Sequence, residues 1–459
     1  MRLCVNVRRQ AIAPFFQGCE TARKVTRLMS KPDINQQNIR LIRGFKDILP
    51  GETELWQHIE RTAMALFEDF GYREIRIPVM EKTQLFARSI GEDTDIVEKE
   101  MYTFPDRKGD LLTLRPEATA SICRSYIQHK MYAQDPVRKF YTIGPMFRRE
   151  RPQKGRYRQF YQIDAEIFGV AAPYADVELI FLLHTLFDRL NVTDTSAHIN
   201  SLGCPVCRPR FKKALSSLLA DAAPSLCKDC LRRKDRNPLR VLDCKVPGCR
   251  EAITGAPSII DYLCADCRDH FATVTESLAR LDVPFKVDKQ LVRGLDYYTR
   301  TAFEIQTGAL GAQSAVAGGG RYDGLVGSLG GPQVPAIGFA VGFDRLAEIV
   351  SANTPVALRT PDLFIAALGQ PAKKRAFEWS TTLGLKGIGT AMEYGEKSLK
   401  AQMKQANRLG AGQVLIVGES ELEAGAVVLR DMAAKNQTEI PVSAIVATLI
   451  EIFSKPGTR

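Results

Sequence analysis

The chain lacks the marks of several common protein classes. In 459 residues no apolar run reaches the roughly 18 to 20 that cross a bilayer, and the most apolar stretch, 177–187, is broken by Glu178 and His184. A helical membrane protein is therefore excluded. Neither a GxxxxGK[ST] phosphate loop nor a GxGxxG fingerprint with a following ribose-binding acid occurs, which disfavours P-loop and Rossmann nucleotide binding. There is no GxSxG elbow, and five histidines give little support to a histidine-based catalytic dyad. A hydrophobic signal peptide, an internal repeat and an extended low-complexity tract are also missing. Acids are scarce at the start, where Arg2, Arg8, Arg9, Arg23, Lys24 and Arg27 face Glu20 alone, so residues 1–28 carry +5 of the net +11. Such a lead fits an over-extended reading frame with its true start at Met29, or else an organelle presequence; the first is preferred.

What remains is a globular composition, 45% hydrophobic and 25% charged, of a length that suits about three domains. The basic balance, with a pI near 9.1, favours a polyanionic partner such as nucleic acid.

Eight of the eleven cysteines fall between 204 and 267, as Cys204/Cys207, Cys227/Cys230, Cys244/Cys249 and Cys264/Cys267. A long chain without a signal peptide has no need of disulfide staples, so a reducing cytoplasm is expected. Pairs at this spacing can chelate zinc through thiolates, enough for two tetrahedral structural sites, and the sequence does not say which pairs combine. The alternative is a small helical insertion with free, buried thiols. Catalytic zinc is disfavoured, because four thiolates leave no open position.

Periodicity orders the rest. Residues 53–70 carry apolar side chains at helical spacing up to Gly71. Ile75, Ile77 and Val79 alternate like a short strand ending near Pro78. Segments 139–150 and 158–168 flank a turn and predict a long antiparallel hairpin. The cysteine block interrupts a domain whose strand-like sequence resumes over 278–321, and 335–350 reads as a helix with Phe339, Phe343, Leu346 and Val350 on one stripe. After a proline-containing linker, strand and helix patterns alternate from Asp362 to Gly418, predicting a small α/β domain. Lys397, Lys400, Lys404 and Arg408 recur on its second helix as a basic stripe, which by itself could be a solvated face.

Some residues suggest chemistry. In 159–168, Tyr161, Ile163, Ala165 and Ile167 share one strand face, while Phe160, Gln162, Asp164 and Glu166 share the other. An aromatic among carboxylates and an amide suits a planar, partly cationic ligand. Upstream lie Arg148 and Glu150, and Arg149, Arg151, Lys154, Arg156 and Arg158 crowd the connecting loop, a density that implies phosphate. Arg293–Tyr298 (RGLDYY) adds an arginine and two phenols at a bend. Gly318–Tyr322 (GGGRY) reads as a close backbone approach to a ligand or as an ordinary glycine turn.

Together the hairpin MFRRERPQKGRYRQFYQIDAEIFG, the segment LVRGLDYYT and the stretch AIGFAVGFDRL resemble the histidyl-tRNA synthetases, of which the first and third look like general class II synthetase motifs. GFKDILPGE, TLRPEATA and YGEKSLKAQMKQANRLGA extend the likeness over nearly everything after residue 40. The resemblance implies an α+β catalytic domain, an antiparallel sheet flanked by helices, with a mostly helical Cys-rich insertion and a C-terminal α/β anticodon-binding domain. Its parts are an N-terminal extension (1–40), catalytic halves (41–203 and 283–352) around the insertion (204–282), a linker (353–361) and the anticodon-binding domain (362–459).

It further implies ligation of L-histidine to tRNA(His) with ATP and Mg²⁺, by a cytoplasmic homodimer without membrane association. In that reading Arg148, Glu150, Phe160, Arg115 and Arg345 bind ATP, with Arg345 on the γ-phosphate. Glu81 and Thr83 hold the substrate ammonium; Gln162, Glu166, Tyr297, Tyr298 and Tyr322 line the histidine pocket. Arg293, with Arg148, is catalytic. Arg156 joins Lys397, Lys400, Lys404 and Arg408 as tRNA contacts. A pocket that hydrogen-bonds an imidazole discriminates steeply, so no editing domain is expected. Two rivals are a synthetase-like regulatory subunit of histidine biosynthesis and a zinc-containing RNA-binding protein.

Overall fold

A computed structural model describes residues 39–92, 94–153, 155–308, 315–353 and 360–454. The reading of residues 1–28, most of the linker, and Lys154 lie outside them.

Helix α1 (Thr53–Asp69) buries the expected stripe of Trp56, Ile59, Ala63, Leu66 and Phe67. It ends where Gly71 takes a left-handed φ of +78°. The chain continues through β1 (Arg73–Glu74), β2 (Met80–Lys82), α2 (Thr83–Ile90), β3 (Tyr102–Pro105), β4 (Leu111–Leu114) and α3 (Thr119–Gln128). The hairpin then follows as β5 (Arg138–Phe147) and β6 (Gln159–Phe168), paired antiparallel along their full length. Next come α4 (Tyr174–Arg189) and β7 (Thr195–Ser201). The insertion holds α5 (Arg208–Asp221), α6 (Lys228–Arg236), α7 (Pro247–Ala252) and α8 (Ala265–Arg280). Beyond it are β8 (Phe285–Val287), β9 (Thr299–Thr307), β10 (Ala315–Arg321), α9 (Leu325–Ser328), β11 (Ala336–Gly342) and α10 (Phe343–Asn353).

Eight strands form one sheet in the order β1-β5-β6-β11-β10-β9-β7-β8. Its middle is antiparallel, and only the marginal pairs β1/β5 and β7/β8 run parallel. Because β7 and β8 are neighbours, the two ends of the insertion lie side by side and the interrupted domain closes around it. One face of the sheet packs on α1, α4 and α10, where Trp56 stacks on Phe343 at 4.2 Å. The other face opens toward the insertion.

Two expectations change. Residues 75–79 do not form a strand. Ile75 donates to the Tyr141 carbonyl at 2.9 Å, after which Pro78 has no N–H to offer and the chain crosses to a separate sheet, β2-β4-β3. Arg115 takes the stranded carbonyls of Ile77 and Pro78 instead. Nor is 335–350 a single helix: it is β11 followed by α10. Ile337, Phe339 and Val341 enter the main core at alternate positions while Gly338, Ala340 and Gly342 face away from it, which is a strand period. Phe339 and Phe343 happen to suit a helical spacing as well.

The C-terminal unit contains β12 (Leu363–Ala367), α11 (Gln370–Leu385), β13 (Thr390–Met392), α12 (Leu399–Leu409) and β14 (Gln413–Val417). It continues with α13 (Glu419–Ala424), β15 (Ala426–Asp431), β16 (Gln437–Pro441) and α14 (Ile445–Ser454). Its sheet runs β13-β12-β14-β15-β16, parallel in the first half and antiparallel in the second. Strand β12 is buried on both faces, as a central parallel strand should be. Among the described residues no helix is long and apolar enough to cross a membrane.

Candidate active site

The open face of the large sheet carries a cleft of about 510 Å³. Its walls come from β6, β9, β10 and β11, from the loop joining β5 to β6, from 293–298 and from the insertion. Arg148, Arg293 and Arg345, far apart in sequence, all line it. So do Glu150, Arg156, Phe160, Gln162, Tyr297, Tyr298 and Tyr322. Of the alternating face of β6 predicted to bind, Phe160, Gln162 and Asp164 line this space and Glu166 does not, while Ile163, Ala165 and Ile167 fill the core behind it.

Backbone carbonyls position Arg148 and Arg345, while Arg148 also lies 3.9 Å from Glu150 and Arg293 rests against a carboxylate. Arg148 donates from Nε to the Pro116 carbonyl at 2.9 Å, and its guanidinium lies 5.2 Å over the Phe160 ring. Arg345, at the start of α10, donates to the carbonyls of Ala315 at 2.8 Å and Gly155 at 3.3 Å. Burial and then nearby Arg156 push its pKa below the ordinary guanidinium value, while Glu150 opposes them, so an arriving anion would relieve an existing repulsion. Arg156 and Glu150 pair at 3.2 Å. Arg293 pairs with Glu304, a carboxylate that the sequence reading did not single out.

The glycines of β10 and β11 make the cleft. A Cβ on Gly318 would stand 2.5 Å from the Arg293 guanidinium, and one on Gly338 only 1.5 Å from Oε2 of Glu166. The run 318–320 is therefore strand, not turn: its missing side chains are the floor on which Arg293 lies.

Below this floor sits an acidic group. Glu166 accepts from the Thr119 hydroxyl at 2.7 Å and from the Tyr322 hydroxyl. Burial lifts its carboxyl to about 8, with the two hydroxyls opposing and Glu117 adding to the rise. Burial also raises Asp164 well above the usual carboxylate range, and Glu166 and Glu117 push it the same way. Gln162 Oε1 and Asp164 Oδ2 are buried with no hydrogen-bond partner among the described residues. Such atoms are costly to strand, so a donor-bearing ligand suits the pocket bounded by Gln162, Tyr297, Tyr298 and Tyr322. Tyr297 and Tyr298 pack with ring centroids 4.7 Å apart, and Tyr297 meets Tyr322 at 5.6 Å.

Four expected residues stay outside the cleft lining. Arg115 is buried and committed through Nε to the Pro145 carbonyl at 2.8 Å and through Nη1 to Ile77 at 2.7 Å. Glu81 pairs with Arg124, and the Thr83 hydroxyl meets that of Thr113 at 2.8 Å. Glu166 lies behind Tyr322 and reaches the pocket through it. Conversely, Glu117, Asp164, Glu304 and the insertion residues Asp243, Lys245 and Arg250 line the cleft without having been predicted. Asp164 alone was signalled, by its place on the binding face of β6.

Lys400, Lys404 and Arg408 are exposed along α12. Lys397 precedes that helix, whose N-cap is Ser398, and pairs with Glu393 at 2.6 Å, so it is not part of the helical stripe. In the insertion the first and last cysteine pairs converge (Cys204, Cys207, Cys264, Cys267), and the two middle pairs form a second group (Cys227, Cys230, Cys244, Cys249). Either group could hold a metal ion.

Comparison with known proteins agrees with this geometry. Residues 44–346 match the family model described as histidyl-tRNA synthetase, and residues 362–452 match that of an anticodon binding domain. A histidine–tRNA ligase of Desulfatibacillum aliphaticivorans is 62% identical over 415 residues, covering 90% of this chain and 99% of the relative. One of Desulforapulum autotrophicum is 61% identical, covering 92% and 99%. The crystal structure of apo histidyl-tRNA synthetase from S. aureus superposes with a TM-score of 0.77 at 34% identity, covering 91% of this chain and all of that one. The chain belongs to the histidyl-tRNA synthetase family.

Proposed function

We propose that the protein ligates L-histidine to tRNA(His) through a histidyl-adenylate. The observation that carries this reading is the convergence of Arg148, Arg293 and Arg345 in one cleft beside a pocket of tyrosines and unpartnered acceptors. ATP would place its adenine against Phe160, its amino group toward Glu150, its α-phosphate at Arg148 and its γ-phosphate at Arg345. Histidine would enter the pocket of Gln162, Tyr297, Tyr298 and Tyr322, with Glu166 fixing Tyr322 from behind. The buried acids of the floor favour a cationic guest.

Arg293 would neutralise charge where the amino-acid carboxylate meets the α-phosphate. The carboxylate oxygen attacks phosphorus in line, the bond to the bridging oxygen breaks, and pyrophosphate departs. A terminal ribose hydroxyl of tRNA then displaces AMP from the acyl carbon. The chain contributes positioning and fixed positive charge, which supply most of the acceleration in phosphoryl and acyl-adenylate chemistry; no covalent enzyme intermediate is involved. Mg²⁺ prefers carboxylate and phosphate oxygens; Glu304, on the cleft wall and paired with Arg293, would offer one, and the bound ion would supply charge neutralisation for the leaving pyrophosphate.

The exposed cations of α12 and Arg156 at the cleft rim are proposed to contact tRNA phosphates. Exposed Val79, Met80, Phe104 and Leu111 on or beside the three-stranded sheet support a homodimer. The set of free thiols suits a reducing cytoplasm. The regulatory-subunit reading has less support, since it has no use for the arginines of the cleft or for a whole anticodon unit.

The test is histidine-dependent exchange of pyrophosphate into ATP, followed by charging of tRNA(His). Exchange should require histidine and fall roughly 10²- to 10³-fold in Arg293→Ala, the range for losing one preorganised charge partner. Exchange that is absent or indifferent to histidine overturns the proposal.

A further inference from the structure

The insertion brings its eight cysteines together in an order unrelated to their order in the chain. Cys204 and Cys207 meet Cys264 and Cys267, and within that set the four sulfurs lie no more than 4.8 Å apart; the same holds for Cys227, Cys230, Cys244 and Cys249. Individual spacings are 3.6 Å for Cys204–Cys207, 3.9 Å for Cys204–Cys264 and 4.0 Å for Cys227–Cys244. A disulfide would need about 2.05 Å. A tetrahedron of sulfurs around zinc, with bonds of about 2.3 Å, has edges of about 3.8 Å. A four-iron cluster would hold its thiolates farther apart than this.

Both sets also receive backbone amides. The N–H of Cys227 donates to Cys249 Sγ at 3.0 Å and that of Cys264 to Cys207 Sγ at 3.1 Å, the kind of support that orients thiolate ligands and accommodates their charge. Four protein ligands close each site, which is the structural rather than the catalytic arrangement.

The elements between the ligands reach the cleft. Arg208 directly follows Cys207 and donates to the carbonyls of Leu202, at 3.1 Å, and Tyr298. Arg240, between Cys230 and Cys244, donates to the carbonyl of Arg293 at 2.9 Å. Asn237 donates to Asp296 at 2.7 Å. Each cysteine set thus stands behind one end of the 293–298 loop. That loop has no strand or helix of its own to fix it.

We propose that the insertion binds two structural zinc ions, one in each four-cysteine set, and that they anchor Arg208 and Arg240 so that these hold Arg293 to Tyr298 in place. On binding, the thiols release their protons to solvent and no electron is transferred. Arg208 and Arg240 are positioning residues. The proposal goes beyond aminoacylation, and its first test does not depend on it.

Metal analysis of the purified full-length protein should find two zinc ions per chain. Cobalt exchanged into the protein should give the intense bands of tetrahedral four-thiolate coordination. Cys204→Ser/Cys264→Ser and Cys227→Ser/Cys244→Ser should each retain one zinc. A protein without zinc whose eight thiols react at once with a disulfide reagent, or one holding iron with acid-labile sulfide, overturns the metal assignment. For the anchoring, Arg240→Ala should keep both zinc ions and lower kcat for exchange about tenfold, with KM for ATP and histidine within twofold and partial recovery in Arg240→Lys. An unchanged kcat in Arg240→Ala overturns that part.

Discussion

Removing the cation from the buried Arg321–Asp176 pair should weaken the catalytic unit more than any change on its surface. Both side chains are fully buried. Arg321 also donates to the carbonyls of Val170 at 2.8 Å and Ala172 at 3.2 Å, and Asp176 meets His270 of the insertion helix α8 at 3.1 Å. Burial on its own would raise the Asp176 carboxyl, but His270 and Arg321 outweigh it and hold it below its usual value. The pair therefore stabilises the fold at all pH above the ordinary carboxylate pKa, and the contribution fades only as pH falls through the depressed folded value. Arg321→Met takes the guanidinium from Asp176, which keeps His270, and strands two carbonyls along with the Asp323 contact. Breaking one partner from a buried ion pair costs about 3–5 kcal/mol, which for a unit of this size lowers the melting temperature by roughly 5–8 °C.

Calorimetry at pH 8 and pH 5 would measure it. The deficit should be larger at pH 8, because in the variant Asp176 can take up a proton as the pH falls. Arg321→Met/Asp176→Asn should recover most of the loss by removing the uncompensated charge. A deficit below about 1 kcal/mol, or one that does not change with pH, would refute the reasoning.

Glu166→Gln should flatten the pH dependence of stability. The wild-type carboxyl titrates near 8 when folded and near its ordinary value when unfolded, so as pH rises between these the folded state loses roughly 3–5 kcal/mol that the amide would not lose. Parallel denaturation curves of the two proteins from pH 5 to 8.5 would contradict this. Gly338→Ala should raise KM for histidine at least tenfold, read in the exchange assay, since the new methyl displaces the Glu166 carboxylate that holds Tyr322. Lys400→Ala/Lys404→Ala/Arg408→Ala should weaken tRNA binding and reduce its salt dependence, leaving exchange untouched; filter binding across a salt series would show whether the slope falls by about three.

The cleft was legible wherever one strand carried both its core and its ligand face. Strand β6 announced itself by period two, and the arginines of the β5–β6 loop by their density. Strand β11 was not legible, because glycine and alanine contribute little to a hydrophobic pattern and the phenylalanines on either side of its end satisfied a helical spacing. Cysteine spacing predicted two groups but not their membership, which depends on how helices α5 to α8 fold back on each other. Lys245 and Arg250 line the cleft only because β7 and β8 are neighbours, a pairing of residues nearly ninety positions apart that no local pattern encodes. That Arg115 also fills the gap left where Pro78 interrupts pairing was not legible, because the carbonyls it meets lie 37 and 38 positions away.

The partners of β6 are synthesised at very different times. Strand β5 precedes it, but β11, which completes its other edge from Phe168↔Ala336 to Gln162↔Gly342, emerges about 170 residues later. At about 5–20 residues per second the ribosome leaves that edge bare for on the order of ten seconds or more. Bare edges invite pairing with other nascent chains. During this interval Asp164 and Glu166, buried in the finished fold, are still in water, where like charges on that strand oppose such pairing.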